Sequence, residues 1–155
     1  MNTDRICSFV AGLGPVGRLP RIPGTWGSLF SVLIAPFCFL PLPVPGRAAL
    51  VVLLFAAGAV VSDRAEKASK KKDPGWIVID ELVGQWITLL FVASGSWIAL
   101  ACGFFFFRFF DILKPFPVKR AESMLPGGWS IMLDDVLAGI YAMAALQLLS
   151  SILFL

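Results

Sequence analysis

Five apolar stretches alternate with short polar segments along the chain, and this pattern predicts a bundle of helices. Their approximate bounds are residues 29–43, 48–62, 76–93, 97–114 and 130–155. As helices they would cross most or all of a hydrocarbon core about 30 Å thick. The pattern therefore predicts an all-α, polytopic membrane bundle of about five helices, with residues 1–155 forming a single domain.

Local signals set the ends of these helices. Residues 12–28 are rich in Gly and Pro and predict a loop, with Thr25 or Ser28 capping the helix that follows. Pro115 is expected to stop the fourth helix. The connection at residues 94–96 is short, so the third and fourth helices should form an antiparallel hairpin.

The first apolar stretch is the exception to this regular pattern. It contains Pro36 and ends in the sequence PLPVPG. Two forms remain open for it, a kinked span and a re-entrant segment. The second stretch instead continues through DRAEKASKKKDPG, which predicts a polar helical extension that ends at its Pro-Gly pair.

The composition indicates an integral membrane protein and excludes several chemistries. Hydrophobic residues make up 58% of the chain, charged residues 15%, and the mean hydropathy is +0.85. The absence of histidine excludes Ser-His-Asp and Cys-His catalysis and histidine metal sites. Any chemistry must therefore rest on carboxylates.

The three cysteines, Cys7, Cys38 and Cys102, lack metal-ligand spacing and are expected to be small buried apolar residues. The segment CGFFFFR does match the Cys-x5-Arg spacing of cysteine phosphatases. That phosphate loop needs small, flexible residues, whereas four consecutive phenylalanines in an apolar stretch predict a helix. We therefore expect no nucleophilic role for Cys102.

The basic residues predict an orientation in the membrane. Twelve of the 13 Lys and Arg residues fall in residues 5–21, 64–72 and 108–120, while the alternate connections hold only Arg47. By the positive-inside rule, the N-terminus is cytoplasmic and the C-terminus is outside. These basic residues then act as orientation signals, and no nucleic-acid surface is expected.

Three acidic motifs lie inside or at the ends of apolar stretches, where charge is costly and usually functional. Counted from Gly95 along the predicted hairpin, the third and fourth stretches bring their charged residues to similar depth. The three motifs are Asp80 with Glu81, Arg108 with Asp111, and Asp134 with Asp135. We interpret them as the walls of one acidic site that faces the cytoplasm.

The third stretch also carries a polar stripe with a small residue in it. Asp80, Gly84 and Thr88 follow an i, i+4, i+8 spacing, and Asp135 and Gly139 repeat the pattern in the fifth stretch. Small residues at such positions allow two helices to approach closely. We expect another helix to approach each of these stripes at its small residue.

Several carboxylates at one level repel one another unless they are paired with Arg108 and Lys114 or hold a cation. Oxygen donors without His or Cys suit a hard ion, Mg²⁺ first, with Mn²⁺ or Ca²⁺ as alternatives. Structural interpretations remain open for the later motifs, as an ion pair at a helix end and as charges that favour a helix dipole. A cation or proton transporter is the main functional alternative, although it would spread charge through the bilayer. A purely structural membrane subunit would leave the acids unexplained.

Four blocks of the sequence, IPGTWGS, DPGWIVIDELVGQWI, FFRFFDILKPFPVKRAE and GGWSIMLDDVLAGIYA, resemble the phosphatidylglycerophosphatase A family in content and order. They cover most of residues 12–143. The resemblance implies a bacterial, multi-pass enzyme of the inner membrane that acts in phospholipid biosynthesis. Its substrate would be a membrane phospholipid, phosphatidylglycerophosphate, which would lose its terminal phosphate in an Mg²⁺-dependent reaction to leave phosphatidylglycerol.

The resemblance also assigns site residues by motif position. It implies catalytic roles for Asp80, Glu81, Asp111, Asp134 and Asp135, of which all but Asp111 are metal-ligand candidates. Thr25, Ser28, Arg108 and Lys114 are the corresponding candidates for substrate binding. We expect metal-assisted hydrolysis, in which the two basic residues neutralise phosphate and Asp111 orients Arg108 or acts as a base. A covalent aspartyl-phosphate is the alternative mechanism, and the oligomeric state stays open.

Overall fold

The computed structural model describes residues 3–93 and 96–153, and their side chains except at 121–123 and 153. Within these ranges every regular element is helical, which confirms the predicted all-α class. The elements are α1 (Thr3–Ala11), a 3₁₀ turn (Val16–Arg18), α2 (Pro23–Cys38), α3 (Val44–Ser69), α4 (Ile79–Thr88), α5 (Trp97–Leu113), α6 (Val118–Met124) and α7 (Gly128–Leu153).

The described residues form seven helices where the sequence predicts about five. The added helices, α1 and α6, lie in segments that the sequence analysis treats as polar connections. Two helices are long and apolar enough to cross a membrane, α3 and the segment Gly128–Ile152 of α7. The remaining helices complete a membrane bundle around them, so about five predicted spans correspond to seven helices of unequal length.

Helix α4 is the centre of the bundle. It has only 10 residues, about 15 Å of helix, instead of the predicted segment 76–93. Helices α2, α3, α5 and α7 all pack against it, and only Asp80 among its residues is not fully buried. A helix covered on every side by protein does not need the length of a lipid-facing span. The predicted hairpin turn after α4 includes residues 94 and 95, which lie outside the described residues.

Helix α2 begins earlier than predicted and continues through Pro36. Pro23 occupies its first turn and Ile22 its N-cap, so Thr25 and Ser28 lie within the helix and the expected caps are wrong. Proline suits the first helical turn because it has no N–H to leave unpaired. With 16 residues, α2 is about 24 Å long, which is shorter than a hydrocarbon core.

Arg47 joins the ends of two short helices on the side of the bundle remote from the N-terminus of α4. Its guanidinium donates to the carbonyl oxygens of Leu40 (2.6 Å), Leu42 (2.9 Å), Leu90 (2.9 Å) and Val92 (2.8 Å). The last carbonyls of a helix have no partner within it, and burial makes an unpaired carbonyl costly. Arg47 thereby stabilises the chain where α2 and α4 end.

Candidate active site

A polar cavity of about 400 Å³ lies where the N-terminal turns of α2 and α4 meet the end of α5 and the N-terminal part of α7. Eight of the nine predicted site residues line it. They are Thr25, Asp80, Glu81, Arg108, Asp111, Lys114, Asp134 and Asp135. Residues from four helices, far apart in sequence, are therefore brought together.

Arg108 lies between two carboxylates. Its Nη1 is 2.7 Å from both carboxylate oxygens of Glu81 and 2.8 Å from Oδ2 of Asp111. All three side chains are largely shielded, with 10% to 16% of their surface exposed. Because breaking a shielded ion pair leaves an uncompensated charge, this arrangement holds the guanidinium firmly. The contact between α4 and α5 confirms that Glu81 and Arg108 lie at the same depth.

Ser28 is the ninth predicted residue, and it is completely buried behind Glu81. Its hydroxyl lies 2.7 Å from Oε2 of Glu81 and 3.0 Å from the carbonyl oxygen of Gly24. Ser28 is predicted to bind substrate, but its side chain does not line the cavity. Its hydroxyl contacts Glu81 and lies 3.4 Å from Nη1 of Arg108, so it helps to position both side chains.

Lys114 contributes the second cation from a strained turn. Helix α5 ends at Leu113, as Pro115 predicts, and Lys114 follows in the left-handed conformation with φ of 46°. Non-glycine residues adopt this conformation at an energetic cost and often do so at functional sites. The turn brings the ammonium to 2.8 Å from Oδ2 of Asp134 on α7.

Two buried carboxylate oxygens have no hydrogen-bond partner among the described residues. They are Oδ1 of Asp134 and Oδ2 of Asp135. Burying an ionised oxygen without a partner is costly, so a missing partner is expected. The neighbouring Asp80 lines the same cavity, and its Oδ1 accepts a hydrogen bond from the backbone N–H of Glu81. This set of oxygen donors fits a hard divalent cation.

The acidic side chains of the cavity do not form a complete metal-binding cluster in this arrangement. Within residues 3–93 and 96–153, no three acidic side chains converge closely enough to hold an ion. Glu81, one of the four predicted ligands, has both oxygens engaged by Arg108. The other three predicted metal ligands are Asp80, Asp134 and Asp135. These side chains would have to move closer together to share one ion.

The charge of the cavity also points to a cation. Six acidic and two basic side chains line it, which gives a formal charge of −4 when all are ionised. A phosphate ester would be repelled from such a cavity. A bound divalent cation reduces this repulsion.

Two further residues at the site do not stand out in the sequence. Asp73 lines this cavity and an adjacent one of about 460 Å³, although its segment, KKKDPG, is typical of a solvated charge run. Gly24 lies so close to Glu81 that an added Cβ would collide with the carboxylate. For Asp73 the only sequence signal is its place before a Pro-Gly turn, and for Gly24 it is the small residue in the PGT motif.

Comparison with known proteins gives the family. The profile described as Phosphatidylglycerophosphatase A matches residues 9–150. The chain belongs to the phosphatidylglycerophosphatase A family. Phosphatidylglycerophosphatase A of Haemophilus influenzae is 40% identical over 126 residues, which cover 81% of this chain and 77% of that protein. The protein of the same name from Escherichia coli is 37% identical over 134 residues, which cover 85% of this chain and 73% of that protein.

A third relative of this phosphatidylglycerophosphatase A family member has a name that refers to a different lipid substrate. A protein from Bacteroides thetaiotaomicron, provisionally named a phosphatidylinositol-3-phosphatase, is 40% identical over 133 residues, 81% of this chain and 82% of that protein. No solved structure matches the chain. The names of these relatives therefore include two different lipid headgroups.

Proposed function

We propose that this protein is an Mg²⁺-dependent phosphatidylglycerophosphatase of the bacterial inner membrane, with its active site on the cytoplasmic side. It would hydrolyse phosphatidylglycerophosphate to phosphatidylglycerol and phosphate. The observation that carries the proposal is the meeting, in one cavity, of the unpartnered oxygens of Asp134 and Asp135 with Arg108 and Lys114. The names of the relatives support the substrate, and the distribution of Lys and Arg supports the orientation.

Asp80, Asp134 and Asp135 would hold the ion, because Glu81 is engaged by Arg108. When bound, Mg²⁺ supplies charge neutralisation and Lewis-acid polarisation of phosphoryl oxygens. Three carboxylates suit this ion, since it prefers oxygen ligands. One Mg²⁺ would change the formal charge of the cavity from −4 to about −2, which lowers the repulsion of an anionic headgroup.

Arg108 and Lys114 would stabilise the negative charge of the phosphoryl group. Glu81 and Asp111 hold the guanidinium from two sides, so it reaches the substrate already oriented. Because of this contact, the proposed role of Asp111 is to orient Arg108 in preference to acting as a base. Gly24 and Thr25, in the first turn of α2, line the same cavity, and the N-terminus of a helix suits an anion.

Direct attack by water is the route that we propose. Water attacks phosphorus, the ester P–O bond breaks, and the glycerol oxygen of the leaving group takes up a proton. A carboxylate of the cavity accepts the proton that water loses. An aspartyl-phosphate route would instead leave a phosphorylated protein that acid quenching would trap.

The transporter alternative has less support. Six acidic side chains line the cavity at the N-terminus of α4. Near the C-terminal end of α4, Arg47 of α3 is engaged by backbone carbonyls. A transport path needs polar groups through the depth of the bilayer. The clustering at one level favours a headgroup enzyme.

Phosphate release from purified protein in detergent tests the proposal. We expect release from phosphatidylglycerophosphate, loss of activity in EDTA and recovery with Mg²⁺. Binding of Mn²⁺, followed by electron paramagnetic resonance, reports on the ion site without turnover. The affinity for Mn²⁺ should fall in Asp135→Asn. Full activity in excess EDTA would contradict the metal. Faster release from phosphatidylinositol 3-phosphate would contradict the headgroup.

A further inference from the structure

An apolar groove of about 790 Å³ lies on the outer surface of the bundle between α5 and α7. Apart from Arg108, its lining is hydrophobic. It includes Phe105, Phe106, Phe109, Ile112 and Leu113 of α5 and Ala145 of α7. Phe105, Phe109 and Ile112 are 69%, 56% and 71% exposed, so no described part of the protein covers this face.

The groove adjoins the polar cavity. Arg108 and Ile112, one turn apart on α5, line both. The cavity also has apolar residues at its α2 side, Ile22 and Pro23. A molecule held in the cavity by a charged end therefore has an apolar exit past Ile112 into the groove.

The length of the groove suits a lipid chain. It follows α5 from Leu113, near the level of the cavity, back to Phe105. The eight residue-to-residue steps between them rise by about 12 Å, which is most of one leaflet of a hydrocarbon core about 30 Å thick. The groove thus runs from the headgroup level toward the middle of the bilayer.

We propose that one acyl chain of the lipid whose phosphate occupies the cavity lies in this groove. The inference rests on the proposed function, and it adds where the apolar part of the substrate binds. A chain that moves from bilayer to groove gains little hydrophobic free energy, because lipid and groove are similarly apolar. The groove would instead improve the orientation of the substrate, since a second point of attachment directs the phosphate toward Arg108.

Ala145→Trp tests the groove by filling it. The matched control is Ala144→Trp, which adds the same bulk at an exposed neighbouring position of α7. We expect the ratio of kcat/KM for a dioleoyl substrate to that for a dihexanoyl substrate to fall about tenfold in Ala145→Trp and to stay at the parent value in Ala144→Trp. Equal ratios in the two variants, with both folded as judged by thermal unfolding, would overturn the proposal.

Photocrosslinking gives a readout independent of turnover. Phosphatidylglycerophosphate and phosphatidylcholine, each with a diazirine in the middle of one acyl chain, are compared on the parent protein. We expect residues 105–113 to be labelled several-fold more by the first lipid, and the exposed α3 face at Val52 and Leu53 to be labelled equally by both. Equal labelling of the groove would reject a substrate site there and identify ordinary surrounding lipid.

The outcomes separate this proposal from the proposed function. If the parent protein releases no phosphate from any lipid, the proposed function fails, whereas labelling still reports on the groove. If phosphate is released but Ala145→Trp matches its control, only the groove proposal fails. A change in oligomer mass in Ala145→Trp, without a change in the chain-length ratio, would assign the groove to a contact between copies and would also overturn it.

Discussion

Gly84 and Gly139 bring the backbones of α4 and α7 into direct contact. A Cβ added to Gly139 would lie 2.5 Å from the carbonyl oxygen of Gly84, and one added to Gly84 would lie 2.6 Å from the carbonyl oxygen of Asp135. Thr88 strengthens the crossing, because its hydroxyl lies 3.0 Å from the Gly84 oxygen and 3.4 Å from the Gly139 oxygen. This close approach is the one that the small-residue spacing predicts, and it brings Asp135 beside α4.

We therefore expect Gly139→Ala to destabilise the protein. The methyl group would meet backbone, which cannot move aside as a flexible side chain can, and overpacking of this kind costs about 1–3 kcal/mol. Thermal unfolding in detergent measures the effect. Gly46→Ala is the control, because its added Cβ meets only ordinary contacts of 3.5 Å or more. Equal stability of the two variants would contradict the close crossing.

Replacement of Arg47 tests the arrangement at the opposite end of α4. Arg47→Met would remove four hydrogen bonds to backbone carbonyl oxygens, two of them buried and two partly buried, and we expect a loss of at least about 3 kcal/mol in unfolding free energy. Arg47→Lys should retain only part of this unfolding free energy, since an ammonium group cannot reproduce the planar set of donors. Arg64→Met, at an exposed position of the same helix, should be nearly neutral. Chemical unfolding in mixed micelles gives the comparison.

The sequence predicts that Glu81 and Arg108 lie at similar depth, because helical rise is constant and depth can be counted from a turn. Their ion pair is a finding of the structure, because depth alone does not decide whether Glu81 pairs with Arg108 or with a metal ion. The sequence also predicts a close helix approach at Gly84, because i, i+4 spacing fixes a helical face. It does not predict the direction of Ser28, which depends on where α2 begins. Pro23 sets that start, in a segment whose Gly and Pro content predicts a loop.

Other features depend on tertiary contacts that a linear pattern does not contain. In the sequence, Arg47 is a single basic residue in a connection that otherwise has none. Its structural role comes from hydrogen bonds to carbonyl oxygens 43 and 45 residues further along the chain. Asp73 reaches the cavity because the chain turns after α3, and no periodicity marks that turn. The short length of α4 follows from its complete burial, whereas hydropathy alone predicts a full span.

Glu81 and Asp135 should respond differently to Mg²⁺. Glu81→Gln keeps a partner for Ser28 but removes the charge that holds Arg108, so we expect turnover to fall roughly 100-fold at every Mg²⁺ concentration. The turnover of Asp135→Asn should fall by a similar factor. It should recover in part as the Mg²⁺ concentration rises, because mass action offsets a weaker affinity for the ion. Asp4→Asn, exposed on α1, is the control. Recovery of Glu81→Gln by Mg²⁺ would instead make Glu81 a ligand.

Cys102 should be dispensable. The CGFFFFR segment lies within α5, where a helical backbone cannot wrap around a phosphate, and the thiol is half-buried among apolar side chains. We expect Cys102→Ser to keep phosphate release within about twofold of the parent, comparable with Cys38→Ser at an exposed position. Abolished turnover in a folded Cys102→Ser protein would restore the thiol as a candidate nucleophile.

The orientation can be read from cysteine labelling in intact cells, using a cysteine-free background. The positive-inside rule places Lys71 and Lys119 in the cytoplasm and Ser96 outside. An impermeant thiol reagent should therefore label Ser96→Cys and leave Lys71→Cys and Lys119→Cys unlabelled until the cells are opened. Lys71 and Lys119 are exposed, so shielding by protein would not explain their protection. Labelling of Lys119→Cys from outside would invert the topology and place the acidic cavity on the outer face, away from the cytoplasm.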